Sequence, residues 1–268
     1  MRRDLVAMAL LTTMAAVTAT GCGDGGGEDL VLKGTSPASP YRGPMNARSA
    51  LECDGKVFDA DRGDGWSKGD GGDTPEEGLK AYFDIYVPEV PRSGYRVERA
   101  EGDRVLYSYD VGGRTKVAVV VAKDRKNRPG WGPETSASCD PAELPADVSE
   151  SWGFEIWTDR TGRRVPVTEV NSSAGAEHCD WQSAHFLELG RGNGDPVYIR
   201  DPDGLFEAGT QLSAAYDRDV PMPADAHDTG YRYRDWQLWL TDDKSKAYVR
   251  TPDGVEAWPR AKQGLACK

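Results

Sequence analysis

The chain has 268 residues, of which 33 are Lys or Arg and 44 are Asp or Glu, so its formal net charge is −11 at pH 7. Nucleic acid and anionic lipid would repel such an acidic chain, which makes it a poor partner for either. The length allows one large domain or two small ones.

The N-terminus predicts export. Two arginines follow the initial methionine and precede an apolar run from Leu5 to about Ala19, which is too short to span a bilayer. The segment ATGC, which ends at Cys22, resembles the lipobox of bacterial lipoproteins, in which the cysteine sulfur carries a diacylglycerol. We therefore predict a signal peptide over residues 1–21 and a lipid anchor at Cys22, with acyl chains such as palmitate. Ordinary secretion is the alternative, because Ala19 stands where the lipobox usually has leucine.

Composition divides the mature chain into three parts. Residues 22–48 are rich in Gly, Ser and Pro, which predicts a flexible tether from the lipidated cysteine. Residues 49–146 predict an α+β module, and residues 147–268 predict a β-rich module. The expected fold class is α+β, with an N-terminal helix packed on an antiparallel sheet, followed by a mostly antiparallel, disulfide-stapled module of short strands.

The first module carries the clearest local signals. Thr74 and Glu77 form a capping-box pattern around Pro75, and an apolar residue then recurs at helical spacing up to the proline at position 88. Strand-like segments follow at 95–99, 104–110, 115–123 and 131–138, separated by turn sequences. The run 117–122 is apolar at every position, which is typical of a central strand covered on both faces.

The second module contains short apolar runs with a turn sequence about every ten residues. These predict strands at 154–158, 164–170, 184–190, 196–200, 236–241, 247–250 and 255–258. The segments YIRDPDG at 198–204 and YVRTPDG at 248–254 echo each other, but two copies do not establish a repeat architecture. Six of the eight tryptophans lie in this module, where they supply either core area or an aromatic binding surface.

Cysteine usage predicts two disulfides. Four cysteines remain after the lipidated one, namely Cys53, Cys139, Cys179 and Cys267, and an exported protein oxidises such thiols in pairs. Three connectivities are possible. We predict Cys53 with Cys139 and Cys179 with Cys267, because each bond would then bracket one module.

The segment AEHCDWQSAHFL at 176–187 raises two rival hypotheses. Cys179 could be a thiolate nucleophile with His178 or His185 as its base, although Cys267 would then lack a partner. Alternatively, His178, Asp180 and His185 could bind a metal, but their spacing matches no established zinc signature. We therefore assign no catalytic residue, no metal ligand and no cofactor.

The chain also resembles a group of uncharacterised actinobacterial (Streptomyces-like) lipoproteins and secreted proteins. The resemblance extends from about residue 47 to the C-terminus and is carried by the segments GRTKVAVVVA, SCDPAELP, EIWTDRTGRRVPVTEV, EHCDWQSAHFLELG, YIRDP and AYVRTPDGVEAWPRAKQGLAC. It implies export and membership of that group, and it carries no activity or catalytic residue over to this chain.

Two functional hypotheses follow. The preferred one is a lipid-anchored extracytoplasmic binding or envelope-accessory protein, whose partner is an envelope protein or glycan and whose ligand surface includes Trp181, Trp239, His178 and His185. The alternative is an extracytoplasmic hydrolase or metal-binding enzyme that uses His178, Asp180 and His185.

Overall fold

A computed structural model of the chain describes residues 31–33, 43–60, 66–86, 92–190, 192, 194–262 and 265. Most of its sheets are antiparallel, with 44% of these residues in strands and 13% in helices. None of the helices in the described ranges is long and apolar enough to cross a bilayer. The predicted signal peptide, the lipidated Cys22 and Cys267 lie outside the described residues.

Thirteen strands and three α-helices are present within the described ranges. The helices are α1 (Ala47–Ala50), α2 (Pro75–Tyr86) and α3 (Ala146–Ser151). The strands are β1 (Val31–Leu32), β2 (Val57–Ala60), β3 (Ser93–Glu101), β4 (Arg104–Val111), β5 (Arg114–Arg125), β6 (Arg128–Cys139), β7 (Val170–Ala174), β8 (His185–Leu189), β9 (Val197–Arg200), β10 (His227–Tyr233), β11 (Trp236–Leu240), β12 (Lys246–Thr251) and β13 (Gly254–Pro259).

The first half of the chain is built on a six-stranded sheet with the order β1-β3-β4-β5-β6-β2. Its four long strands are consecutive antiparallel hairpin neighbours, and each contains one of the predicted segments. Every residue from Val117 to Ala122 on β5 is at most 2% exposed, which confirms the prediction of a central strand covered on both faces.

Helix α2 covers one face of this sheet. Thr74 accepts a hydrogen bond from the Glu77 amide, and the Glu77 carboxylate accepts one from the Thr74 amide, which are the reciprocal bonds of a capping box. Leu79 and Phe83 are fully buried, and they pack with Tyr107 and Val119 of the sheet.

The opposite face of the sheet is covered by residues just before and within α1. Ala47 and Ala50 pack against Leu106 and Val120, with Met45 at the edge of the cluster. Residues 31–32 form β1, which pairs in parallel with β3. Two pieces of the segment 22–48, predicted as a tether, therefore lie on the sheet, and the rest of that segment lies outside the described residues.

A disulfide joins Cys53 to Cys139, as predicted, and holds the edge strand β2 beside β6. The two residues are 86 positions apart in sequence. Cys179 is also disulfide-bonded. Its pairing with Cys267 stays a prediction, because Cys267 lies outside the described residues.

The second half contains a three-stranded sheet, β7-β8-β9, and a four-stranded sheet, β10-β11-β12-β13. Backbone bridges connect the two sheets along both edges. Arg260, just after β13, pairs with Tyr198 of β9, while the segment 155–158 pairs with Ser172 of β7 at one end and with Arg232 of β10 at the other. Backbone pairing therefore closes the two sheets into a ring, and we call this half of the chain the barrel.

The barrel interior is a single apolar core. Its fully buried members are Trp157, Val170, Leu187, Tyr198, Leu238, Ala247, Val249 and Trp258. The predicted segments 184–190, 196–200, 236–241, 247–250 and 255–258 each contain most of an observed strand.

Two predicted strands of the barrel are wrong. Segment 154–158 makes only isolated bridges, and segment 164–170 turns at Pro166, whose carbonyl accepts hydrogen bonds from the amides of Glu169 and Val170. The amide of Val167 donates to the buried Asp140 carboxylate, which takes the place of a neighbouring strand. Strand β10 was not predicted.

Candidate functional site

The structure separates the predicted cluster of His178, Asp180 and His185. His178 and Asp180 are exposed in the turn after β7, whereas His185 begins β8. The three side chains form no set of ligand atoms within 4.8 Å; in the described part of the chain, only Cys53, Cys139 and Glu143 form such a set. Those two cysteines are bonded to each other, so they offer no thiolate to a metal.

The disulfide at Cys179 also bears on the nucleophile hypothesis. A catalytic cysteine must be a free thiolate, and Cys179 is oxidised. The thiol hypothesis at this position is therefore wrong for the folded protein.

His185 instead belongs to a partly buried series of hydrogen bonds. Its Nε2 lies 3.2 Å from one oxygen of Glu155, whose other oxygen accepts a 2.6 Å hydrogen bond from the Ser172 hydroxyl. The Ser172 oxygen in turn accepts a 2.8 Å bond from the indole N–H of Trp157. The Trp236 ring meets His185 edge-on at 5.3 Å. These side-chain contacts join the segment 155–158 to β7, β8 and β11.

A second group of hydrogen-bonded side chains lies beside the first. Arg200, at the end of β9, donates two hydrogen bonds of 2.9 and 3.1 Å to the two oxygens of Glu256 on β13. Glu256 also accepts a 2.8 Å bond from the Trp258 indole. The Arg200 guanidinium carbon lies 6.0 Å from the centre of the Tyr216 ring.

Strand pairing shows that the side chains of both hydrogen-bonded groups point toward the barrel interior. Leu187 and Tyr198 are cross-strand neighbours, and both are fully buried in the barrel core. His185 and Arg200 are the next neighbours on the same face, because they lie two residues away along each strand. Glu256 likewise pairs with the buried Val249.

The polar inward-facing residues thus gather at one end of the barrel. We call this end the barrel mouth and define it by Glu155, His185, Arg200, Trp236 and Glu256. Two tryptophan rings link the two hydrogen-bonded groups, since the Trp236 ring lies 5.5 Å from that of Trp258 and is roughly perpendicular to it.

A pocket of about 320 Å³ opens at the barrel mouth. It is lined by Arg200, Arg218, Asp219, Thr251, Asp253, Gly254 and Glu256. Its volume is at the lower end of the range for small-molecule sites, and mouths of β-barrels are common locations for such sites. We call it the mouth pocket.

The two carboxylates of the barrel mouth are held in their charged forms. Burial alone would raise the pKa of Glu155, but hydrogen bonds from His185 and Ser172 outweigh it, so this pKa is below its ordinary value. For Glu256, burial is likewise outweighed by the bonds from Arg200 and Trp258, and its pKa is also lowered. A general acid at neutral pH needs a raised pKa, so these carboxylates suit binding better than proton donation.

The two tryptophans predicted to bind a ligand occupy different environments. Trp181 packs against Phe186 and Phe206, with ring centres 5.8 and 5.0 Å away, in a cluster outside the barrel. Trp239 lies on the outer face of the four-stranded sheet, half-buried, with the Arg250 guanidinium carbon 5.0 Å from its ring centre.

Sequence reasoning missed the mouth pocket. Arg200 and Glu256 are 56 positions apart in sequence, and the pairing of β9 with the residues just after β13 brings them together. The signal that could have drawn attention to them is the echo of YIRDPDG and YVRTPDG, because Arg200 belongs to the first copy and Thr251, Asp253 and Gly254 to the second.

Comparisons with protein-family models, with curated proteins and with solved structures found no match to this chain.

Proposed function

We propose that the protein is a lipid-anchored extracytoplasmic binding or envelope-accessory protein whose ligand occupies the mouth pocket. The observation that carries the proposal is the charge of the pocket lining, where Arg200 and Arg218 face Asp219, Asp253 and Glu256 around about 320 Å³. Fixed charges of both signs around a concave surface orient a polar ligand and give it specificity.

The rigidity of the barrel mouth supports a binding role. Arg200 and Glu256 are locked by two direct hydrogen bonds and by the Trp258 indole, so they lose little freedom when a ligand arrives. Arg200 and Glu256 also lie on strands, where side chains keep their positions better than on loops.

The anchor is proposed from the sequence around Cys22. A diacylglycerol on this cysteine would hold the protein at the extracytoplasmic face of the cell membrane, since two acyl chains bind a bilayer far more firmly than one. The ligand is then a component of the envelope or of the surrounding medium.

The hydrolase alternative has less support. His178, Asp180 and His185 do not converge, and Ser172, the hydroxyl nearest to His185 in the series of hydrogen bonds, donates to Glu155 rather than to the histidine. A serine nucleophile needs its hydroxyl exposed to substrate and hydrogen-bonded to a base.

Fractionation and native mass spectrometry test this proposal. The full precursor should be produced in a bacterial host, with labelled palmitate present, as wild type and as Cys22→Ala. We expect the label and membrane association in the wild type only. Soluble, label-free wild-type protein would contradict the anchor.

Purified protein should then be incubated with a small-molecule extract of bacterial envelopes. We expect wild type and Arg250→Ala to acquire the same mass adduct, and Arg218→Ala to lose it. Arg250 is a matched control, because it lies on the outer face of the same hairpin. No adduct, or an adduct that Arg218→Ala retains, would contradict binding in the mouth pocket.

A further inference from the structure

The mouth pocket holds charges that the fold leaves unpaired. Arg200 uses its Nε and one terminal nitrogen on Glu256, so further guanidinium N–H groups remain. Among the described residues, Arg218, Asp219 and Asp253 form no ion pair, although all three line the same pocket. All three side chains are solvent-exposed, so one cation and two carboxylates are open to a ligand.

These charges restrict the chemical class of the ligand. A phosphate, sulfate or simple carboxylate would leave Asp219 and Asp253 unpaired, and an apolar ligand would desolvate Arg218, Asp219 and Asp253 without pairing them. A ligand with one carboxylate satisfies Arg218 and the remaining Arg200 donors. A ligand with two ammonium groups satisfies Asp219 and Asp253.

The backbone brings one of these carboxylates against the hairpin turn. Asp219 adopts a left-handed φ of 60°, and its Oδ1 lies 2.8 Å from the point where a Cβ of residue 254 would stand. Glycine at position 254, with its own φ of 149°, leaves room for the carboxylate there. The close approach places Asp219 beside the turn that carries Asp253.

We propose that the mouth pocket binds a free cationic amino acid, with its carboxylate on Arg218 and Arg200 and its ammonium groups on Asp219 and Asp253. The net charge of the five lining side chains is −1, from two arginines and three acids, and it complements the net charge of +1 on lysine or ornithine. This inference rests on the proposed binding function and names its ligand class.

Isothermal titration of the mature protein with matched probes tests the inference. The probes are L-lysine, L-norleucine, which lacks the side-chain ammonium, and 1,5-diaminopentane, which lacks the carboxylate. We expect one L-lysine to bind per chain, and each of the other two to bind about tenfold more weakly, because each leaves a charged group of the pocket unpaired.

Two variants assign the groups. Arg218→Ala should weaken L-lysine about tenfold without weakening 1,5-diaminopentane, while Asp253→Asn should weaken L-lysine and 1,5-diaminopentane about tenfold. Asp203→Asn is the control, because Asp203 occupies the matching position of the echo turn outside the pocket. Circular dichroism and thermal unfolding check that each variant is folded.

If an envelope adduct is lost in Arg218→Ala but L-lysine binds no better than the two analogues, the ligand class is wrong and the binding function stands. If neither the adduct nor L-lysine binds, both proposals fail. If L-lysine binds but Arg218→Ala and Asp253→Asn leave the affinity unchanged, its site is elsewhere and the inference is overturned.

Discussion

Ser172, Glu155 and His185 are the residue types of a hydrolytic triad, but their order of contact differs from that of a triad. The carboxylate lies between the hydroxyl and the imidazole, so the histidine has no access to the serine proton. Ser172 is also completely buried, and its oxygen already accepts the Trp157 indole N–H. The geometry therefore indicates that these three residues stabilise the barrel.

Replacing Ser172 with alanine tests this assignment. The change leaves the Trp157 indole and one Glu155 oxygen without a partner, so we expect the free energy of unfolding to fall by about 1 to 3 kcal/mol. Urea denaturation measures it. Ser173→Ala is the control, since Ser173 lies on the opposite face of β7; equal losses in the two variants would refute the assignment.

The ion pair at the barrel mouth predicts a dependence of stability on pH. Because the folded-state pKa of Glu256 is below the ordinary value of 4.5, its contribution is present above pH 4.5 and is lost as the pH falls through the folded-state pKa. We expect Glu256→Gln to lower the free energy of unfolding by about 1 to 2 kcal/mol at pH 7. The deficit should shrink below pH 4.5.

Denaturation curves at pH 7, 5 and 3 provide the measurement for this pair. Glu207→Gln is the matched control, because Glu207 is exposed and its side chain makes no hydrogen bond among the described residues. A deficit in Glu256→Gln that stays constant across the three pH values would show that the charge of Glu256 contributes nothing.

At the scale of elements, one glycine fixes how the segment after β2 returns to the first sheet. The Trp66 ring lies against Gly132 of β6, the residue is only 2% exposed, and its indole N–H donates to the Pro129 carbonyl at 3.3 Å. A Cβ at position 132 would stand 2.2 Å from the ring. The absence of a side chain on β6 therefore creates the binding site for Trp66.

Gly132→Ala should accordingly displace the Trp66 ring. We expect a loss of about 1 to 3 kcal/mol in the free energy of unfolding, as for other overpacked sites, together with a red shift of tryptophan fluorescence. Gly55→Ala serves as the control, because the nearest atom to its Cβ would be 3.6 Å away. A Gly132→Ala protein with unchanged stability would mean that Trp66 does not pack there.

An element could be predicted from the sequence when the residues that form it are close together along the chain. Strands β3 to β6 are joined by short turns and are rich in β-branched and aromatic residues, so local pattern was sufficient to find them. Segment 164–170 has the composition of a strand, yet it turns because Asp140, more than twenty residues earlier, accepts its amides. The charged pairs of the barrel mouth depend on barrel closure, which no local pattern reports.

At the scale of the molecule, the two halves are connected by charged side chains as well as by the chain itself. Arg164, from the second half, donates to the Leu144 carbonyl and to the Ser149 hydroxyl. The buried Asp140 carboxylate accepts from the amides of Val167 and Thr168. These contacts connect the segment that leaves the six-stranded sheet to the start of the barrel.

The disulfide in the first half predicts a local effect on stability. Replacing Cys53 and Cys139 with serine removes a crosslink that closes a loop of 86 residues, and we expect a loss of about 4 to 5 kcal/mol if the chain-entropy estimate holds. Hydrogen exchange should accelerate in β2, which the bond holds beside β6. Strand β12 of the barrel is the internal control, and equal acceleration there would contradict a local effect.

The central claim is that the ligand binds at the barrel mouth. Hydrogen–deuterium exchange of the mature protein, with and without a saturating envelope small-molecule fraction, tests this claim without knowledge of the ligand. We predict that binding slows exchange at residues 216–219 and 251–256, which carry most of the mouth pocket. Slower exchange confined to other segments, such as β11 around Trp239, would contradict the account.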